Sequence, residues 1–267
     1  MPRINDPDYL SAQYKTADNL SARIRLHRRF SVNDYGWFRW VFDRFDLPET
    51  ARILELGCGP GLLWGENARR IPAGWKITLS DFSPGMLAQA RRNLKGVSRP
   101  FDFAVIDAQH LSCPPARFDA VIANHFLYHV PDRPRTIAEI RRVLKPGGKL
   151  YATTVGDNHM GALTRLVERF DAQSEIVIHG RSFPFTLQNG SDQLRAAFAA
   201  VKIHRYPDEL RVTEAWPLAE YILSSTRFSV PPGDRLRADL LRFLELELAA
   251  RDGVIVIPKE SGIFIAY

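Results

Sequence analysis

The chain has 267 residues, 45% of them hydrophobic, enough to bury the core of one large domain or of a domain with an appended cap. It has no run of 18 apolar residues, and its polar start carries Pro2 and Pro7, so neither a membrane span nor a signal peptide is expected. Two cysteines, Cys58 and Cys113, exclude a disulfide framework and suit a cytoplasmic protein; the net charge of +6 is read as solvated helix faces rather than a nucleic-acid surface.

Residues 1–50 are expected to be helical in two pieces. The first, 14–30, is rich in helix formers and carries the basic cluster Arg23, Arg25, Arg28 and Arg29. In the second, Phe38, Val41, Phe42 and Phe45 recur at i, i+3, i+4 and i+7 and make one apolar stripe. From Ala51 strand alternates with helix: strand 51–57, helix 62–71, strand 76–82, and a helix from Pro84 with Ser83 as its N-cap. Strands follow over 101–108 and 118–124, then helix 134–145, stopped by Pro146-Gly147-Gly148, and strand 149–155. Such alternation implies a mostly parallel, doubly wound sheet. Beyond it come helices over 160–172, 191–200 and 215–225, a strand over 202–213 and a long helix capped by Asp234. The apolar runs 254–257 and 262–267 are expected to close the sheet edge.

Residues 53–61 read Ile-Leu-Glu-Leu-Gly-Cys-Gly-Pro-Gly: a buried strand, a turn in which Gly57, Gly59 and Gly61 alternate with other residues, then a helix. Such a turn lets a ligand approach the backbone, and the helix behind it opens with free N–H donors. The dinucleotide fingerprint G-x-G-x-x-G is not completed, because its third glycine falls on Leu62 or Trp64. Ligands of doubly wound sheets bind beyond the carboxyl ends of the strands. That rule groups the glycine turn with Asp81, Asp107 and residues 124–129 in one crevice. Trp64 is read as a core residue.

Five segments, ILELGCGPG (53–61), ITLSDFSPGMLAQAR (77–91), FAVIDAQHL (103–111), FDAVIANHFLYHVPD (118–132) and LKPGGKL (144–150), occur in an order and spacing that resemble the class I S-adenosylmethionine-dependent methyltransferases of small-molecule type. The resemblance implies an α/β, doubly wound, mostly parallel seven-stranded sheet of Rossmann-like class I methyltransferase fold, with an N-terminal helical segment and a helical cap insertion. It divides the chain into an N-terminal helical lid (1–50), a cofactor-binding core (51–156), a cap insertion (157–200) and a C-terminal part of the core with additional helices (201–267). The implied cofactor is S-adenosylmethionine, with S-adenosylhomocysteine as product and no metal. Glu55, Gly57, Gly59 and Gly61 then serve the methionine tail and ribose, and Asp81 the ribose hydroxyls. Phe82 and Met86 pack on the adenine, Asp107 and the backbone of Ala108 lie by its amino group, and Asn124 contacts the methionine end.

Methyl transfer from a sulfonium is an in-line displacement, so the protein's task is to position the acceptor, with a base needed only where the acceptor must lose a proton. His125 and His129 follow strand 4 and are candidates for that base, each with the alternative of a purely structural role. Related enzymes often fold an N-terminal helix over the cofactor with a tyrosine near the sulfonium, which implies a role for Tyr14. Arg23 and His27, at i and i+4, are candidates for a carboxylate of the cofactor or substrate. The expected partner is a small-molecule methyl acceptor, without nucleic acid or membrane, and a homodimer is compatible with the sequence. An RNA or protein methyltransferase and a non-methylating S-adenosylmethionine-binding protein on the same fold are the alternatives.

Overall fold

The computed structural model describes residues 18–170, 183–225 and 233–267. Tyr14 lies outside the described residues. The seven-stranded sheet has the order β3-β2-β1-β4-β5-β9-β6, built from β1 (Arg52–Leu56), β2 (Lys76–Asp81), β3 (Phe101–Val105), β4 (Phe118–Ala123), β5 (Leu144–Val155), β6 (Val201–Tyr206) and β9 (Ser261–Ala266). The first five strands run parallel, and β9 is antiparallel to both β5 and β6. The expected mostly parallel, doubly wound class I methyltransferase sheet is therefore present.

Both faces of the central strands are covered, which is why β1, β4 and β9 are mostly apolar in the sequence, whereas the edge strands β3 and β6 stay more exposed. The two-residue side-chain period sends Ile53, Ile77, Leu79 and Ile122 to one face, against α2 (Trp37–Phe42), α3 (Leu62–Glu66) and α4 (Pro84–Asn93). It sends Leu54, Leu56, Val121 and Ala123 to the other, where they meet α5 (Arg133–Val143) and α7 (Gly190–Arg195). A third core belongs to a cap: Leu26 and Phe30 of α1 (Asp18–Phe30), Leu163 and Leu166 of α6 (Gly161–Phe170), Leu218 and Ile222 of α8 (Ala215–Ser225), and Leu240 and Leu244 of α9 (Asp234–Ala249). These close on a two-stranded sheet of β7 (Glu209–Val212) and β8 (Ile255–Pro258). Inside the cap the nearly buried Glu247 takes both Arg169 terminal nitrogens, at 3.0 and 2.5 Å, and so ties α9 to α6.

The structure differs from the sequence expectations in several places. The helix expected over 62–71 stops at Glu66 and a 3-10 turn follows over Ala68–Arg70. The buried Asn67 amide donates to the Leu63 carbonyl at 2.8 Å and to the Phe38 carbonyl at 3.0 Å, competing with the helical ladder. The single strand expected over 202–213 is two, split at Pro207-Asp208, where proline removes a ladder donor. Of the two runs expected to close the sheet edge, only β9 joins the main sheet, and it sits inside it; β8 pairs with β7. Gly233 caps α9, and Asp234 is its first residue.

Candidate active site

A cavity of about 1120 Å³ opens over the carboxyl ends of β1, β2 and β4, with α1 and the turns around Asp208 and Lys259 as its far wall. The sheet contributes Glu55, Gly57, Gly59, Asp81, Phe82, Met86, Asp107, Ala108, Asn124, His125 and His129, so most of the residues picked out from the sequence share one space. Gly61 is set apart from it: a Cβ there would touch Leu94 Cδ1 at 3.0 Å, so its smallness serves the contact between α3 and α4.

All three glycines of the turn sit at positive φ, +67° at Gly57, +52° at Gly59 and +75° at Gly61. A Cβ at Gly57 would lie 2.4 Å from the Phe126 ring, whereas one at Gly59 would meet nothing within 4 Å. Gly59 thus leaves open space where a ligand can come against the backbone. The turn is held by Asp81, which ends β2: Gly59 N–H donates to Asp81 Oδ2 at 2.9 Å and Ser83 N–H to Oδ1 at 2.8 Å. An ionised carboxylate has about four lone-pair sites, so Asp81 keeps acceptor capacity for a ligand's hydroxyl. Burial pushes the Asp81 carboxyl above the usual range, against the pull of those N–H donors. Ser83 caps α4 as expected, accepting from Met86 N–H at 3.3 Å.

Glu55 is 1% exposed, and Trp64 Nε1–H donates to its Oε2 at 2.6 Å. Burial lifts the Glu55 carboxyl to about 7, with the Asp81 charge adding and the Trp64 bond opposing. Trp64 is fully buried, as expected of a core residue. Phe82, by contrast, is 62% exposed beside the cavity, a large ring left open next to the buried Met86. Burial raises the Asp107 carboxyl, but the Gln109 donors and His110 outweigh it and hold it below the usual range. These features fit S-adenosylmethionine: an open glycine backbone, spare acceptor sites at the β2 end and an unfilled ring platform after them.

Asn124 and His125 end β4 in an interlocked geometry. Thr153 Oγ1–H donates to Asn124 Oδ1 at 2.5 Å while accepting from His125 N–H at 2.8 Å. His125 is held at φ +50°, a conformation that costs a non-glycine residue roughly 1–2 kcal/mol. Its imidazole packs at a tilt against Trp37 with centroids 5.1 Å apart, and burial, aided by the nearby Lys259 charge, lowers it to about 4. His129 also lines the cavity, with its ring 4.5 Å from Tyr128.

Arg23 and His27 reach the cavity from α1, Arg23 donating to Ser224 carbonyl at 2.7 Å and His27 meeting the Tyr221 ring edge-on at 5.8 Å. Arg28, at the cavity rim, pairs with Glu66 at 3.2 Å, and Arg29, outside the cavity, pairs with Glu214 at 2.5 Å. Sequence reasoning did not find Trp37, Tyr206, Asp208, Lys259 or Phe183 in the cavity wall. The last four come from beyond β5, Tyr206 from the end of β6 and the others from connecting segments, where no motif marks them.

Residues 54–152 match the family model described as "Methyltransferase domain". Over 117 residues the chain is 38% identical to a ubiquinone biosynthesis O-methyltransferase of Xanthomonas oryzae, covering 43% of this chain and 47% of that protein. Over 110 residues it is 39% identical to the biotin biosynthesis bifunctional protein BioCD of Bordetella avium, covering 41% of this chain and 23% of that protein. The chain therefore spans less than half the length of either relative. Among solved structures, the [4+2]-cyclase SpnF superposes with TM-score 0.60 at 22% identity, covering 99% of this chain and 96% of that one. A Haemonchus contortus phosphoethanolamine N-methyltransferase 2, in complex with S-adenosyl-L-methionine, superposes with TM-score 0.60 at 20% identity, covering 100% of this chain and 60% of that one. By the matched segment and by its sheet, residues 54–152 form a methyltransferase domain within a Rossmann-like class I S-adenosylmethionine-dependent methyltransferase fold.

Proposed function

We propose that this chain moves the methyl group of S-adenosylmethionine to an O, N or C nucleophile of a small molecule by in-line displacement. The observation that carries this reading is the shared cavity: the ligand-fitting ends of β1, β2 and β4 and the aromatic cap wall line one space of about 1120 Å³. Bound S-adenosylmethionine supplies the electrophilic methyl and its own leaving group. The chain's residues orient the acceptor, keep water out and, where the acceptor carries a proton, take it up. Glu55, Gly57, Gly59, Asp81, Phe82, Met86, Asp107, Ala108 and Asn124 form the cofactor side of this reading, with Gly61 supporting the turn from behind.

Of the two histidines, His129 is assigned the base. His125 is buried, lowered to about 4 and therefore neutral and weakly basic near pH 7. It is assigned to positioning, through its tilted contact with Trp37 and the bond its backbone N–H donates to Thr153. The capped depth of the cavity and the pairing of Arg28 and Arg29 with acidic neighbours support a small acceptor over a nucleic acid. No helix among the described residues is long and apolar enough to cross a membrane. The division into lid (1–50), cofactor core (51–156), cap (157–200) and C-terminal part (201–267) is kept within this proposal, and the burial of α1 against α8 and α9 supports a lid that also draws on the C-terminal part.

The test is incubation with S-adenosylmethionine labelled on its methyl group and panels of small phenols, amines and enols. Label should appear in a small-molecule product, and His129→Ala should cut turnover with phenols by about 10²-fold or more while leaving S-adenosylhomocysteine affinity unchanged. Cofactor binding without transfer to any panel would replace this reading with a non-methylating one.

A further inference from the structure

The cavity wall opposite the sheet holds an ion pair that the cofactor side does not use. Asp208 lies in the turn between β6 and β7, and Lys259 in the turn between β8 and β9. The Asp208 side chain is fully buried and that of Lys259 is 9% exposed; Lys259 Nζ donates to Asp208 Oδ2. The carboxylate has two further donors, Ser31 Oγ–H to Oδ2 at 2.5 Å and Asn33 N–H to Oδ1 at 3.2 Å. Both Asp208 and Lys259 line the cavity.

Stability does not account for this arrangement. Burying two charges costs several kcal/mol per ion, and apolar residues of similar volume often serve a fold as well or better. What the cluster does achieve is position. Asp208, fixed from Ser31, Asn33 and Lys259, holds one of the ammonium's three N–H donors, and among the described residues it is the only hydrogen-bond acceptor given to that group. The ammonium lies 5.9 Å from the centre of the Tyr206 ring, which meets Trp37 edge-on at 5.2 Å. Trp37 in turn packs at a tilt against His125, ring centroids 5.1 Å apart. A directed donor therefore stands at one end of an aromatic wall, and the histidine at the end of β4 stands at the other. Because Asp208 balances its charge, Lys259 serves an oxygen lone pair without demanding a full negative charge on it.

Resting on the methyltransferase reading above, we infer that the acceptor is a planar conjugated molecule bearing an oxygen function, such as a phenol or enol, laid against Trp37 and Tyr206 with that oxygen taking a hydrogen bond from Lys259. Lys259 is then an acceptor-binding residue, and Asp208, Ser31 and Asn33 position it.

The experiment is calorimetric titration of the S-adenosylhomocysteine-loaded protein with 2-naphthol, 2-naphthoate and naphthalene. Wild type should bind 2-naphthol about tenfold or more tightly than naphthalene, the discrimination one hydrogen bond to a charged group provides. Lys259→Met should abolish that preference while leaving naphthalene and S-adenosylhomocysteine affinity unchanged. If Lys259→Met fails to fold because it strands Asp208, the double variant Lys259→Met/Asp208→Leu removes both charges and should give the same result. Wild type that prefers 2-naphthoate to 2-naphthol by tenfold or more would overturn the phenol or enol assignment in favour of a carboxylate. A preference for 2-naphthol that survives loss of the ammonium, or no preference in wild type, would overturn the inference alone. Wild type that takes up no S-adenosylhomocysteine would overturn the methyltransferase reading and this inference with it.

Discussion

Asp81→Ala should weaken S-adenosylhomocysteine binding by about 1–3 kcal/mol, roughly 5- to 150-fold, with the sheet intact. Asp81 shapes the turn before any ligand arrives, because its two oxygens each take a backbone N–H, from Gly59 and from Ser83. In the proposed complex its remaining lone pairs accept from the ribose hydroxyls. Alanine removes both functions at once. Asp81→Asn keeps the shape but turns an NH₂ toward one of the two N–H groups, donor against donor, so it should bind no better than alanine. Calorimetry on the three proteins decides the matter: an alanine variant with wild-type affinity would remove Asp81 from the ribose assignment, and an asparagine variant with wild-type affinity would show that the turn does not depend on two acceptors.

The part of the site built by Asp81 and the glycine turn was legible because its causes are local. Ile53, Leu54 and Leu56 announce a buried strand, the alternating glycines announce a turn that brings backbone to a ligand, and Asp81 stands where the next parallel strand must end. The matched family domain, residues 54–152, covers the same stretch. The cap was not legible, because its causes are distant. Lys259 and Asp208 are 51 residues apart, one in a polar turn and the other inside what reads as one strand over 202–213, until β7 and β8 pair and bring them together. No motif marks Trp37 in the sequence; only the packing of α2 against Tyr206 and His125 puts its ring in the cavity. The early end of α3 likewise turns on where the Asn67 amide finds its acceptors, one of them Phe38, 29 residues away. Tertiary partners, not propensity, decided these features.

Glu55→Gln should make the ligand-free protein more stable at pH 8 by roughly 2–3 kcal/mol and leave its stability unchanged near pH 4. The sign follows from the two states. In the unfolded chain this carboxyl titrates near 4.3, whereas in the folded protein burial in the central strand lifts it to about 7. Below both values it is neutral in each state and the stabilisation is fully present. As the pH rises toward 7 the unfolded chain gives up a proton that the folded one retains, so stability falls, and above about 7 the full amount is lost. Glutamine keeps an oxygen for the Trp64 N–H, now 2.6 Å from Glu55 Oε2, and removes the titration. Carboxylates held below the usual range, such as Asp119 beside Lys145, slope the other way, so the readout is the difference between the two proteins. At pH 8 that difference should be a rise in Tm of roughly 5–10 °C for the variant; an equal difference at pH 5 and pH 8 would show that Glu55 does not titrate with folding. An acid that weakens the fold at neutral pH persists more readily where a ligand uses it. The variant should therefore be more stable yet bind S-adenosylhomocysteine less tightly at pH 8, and wild-type affinity in that variant would assign Glu55 to the packing of β1 and Trp64 alone.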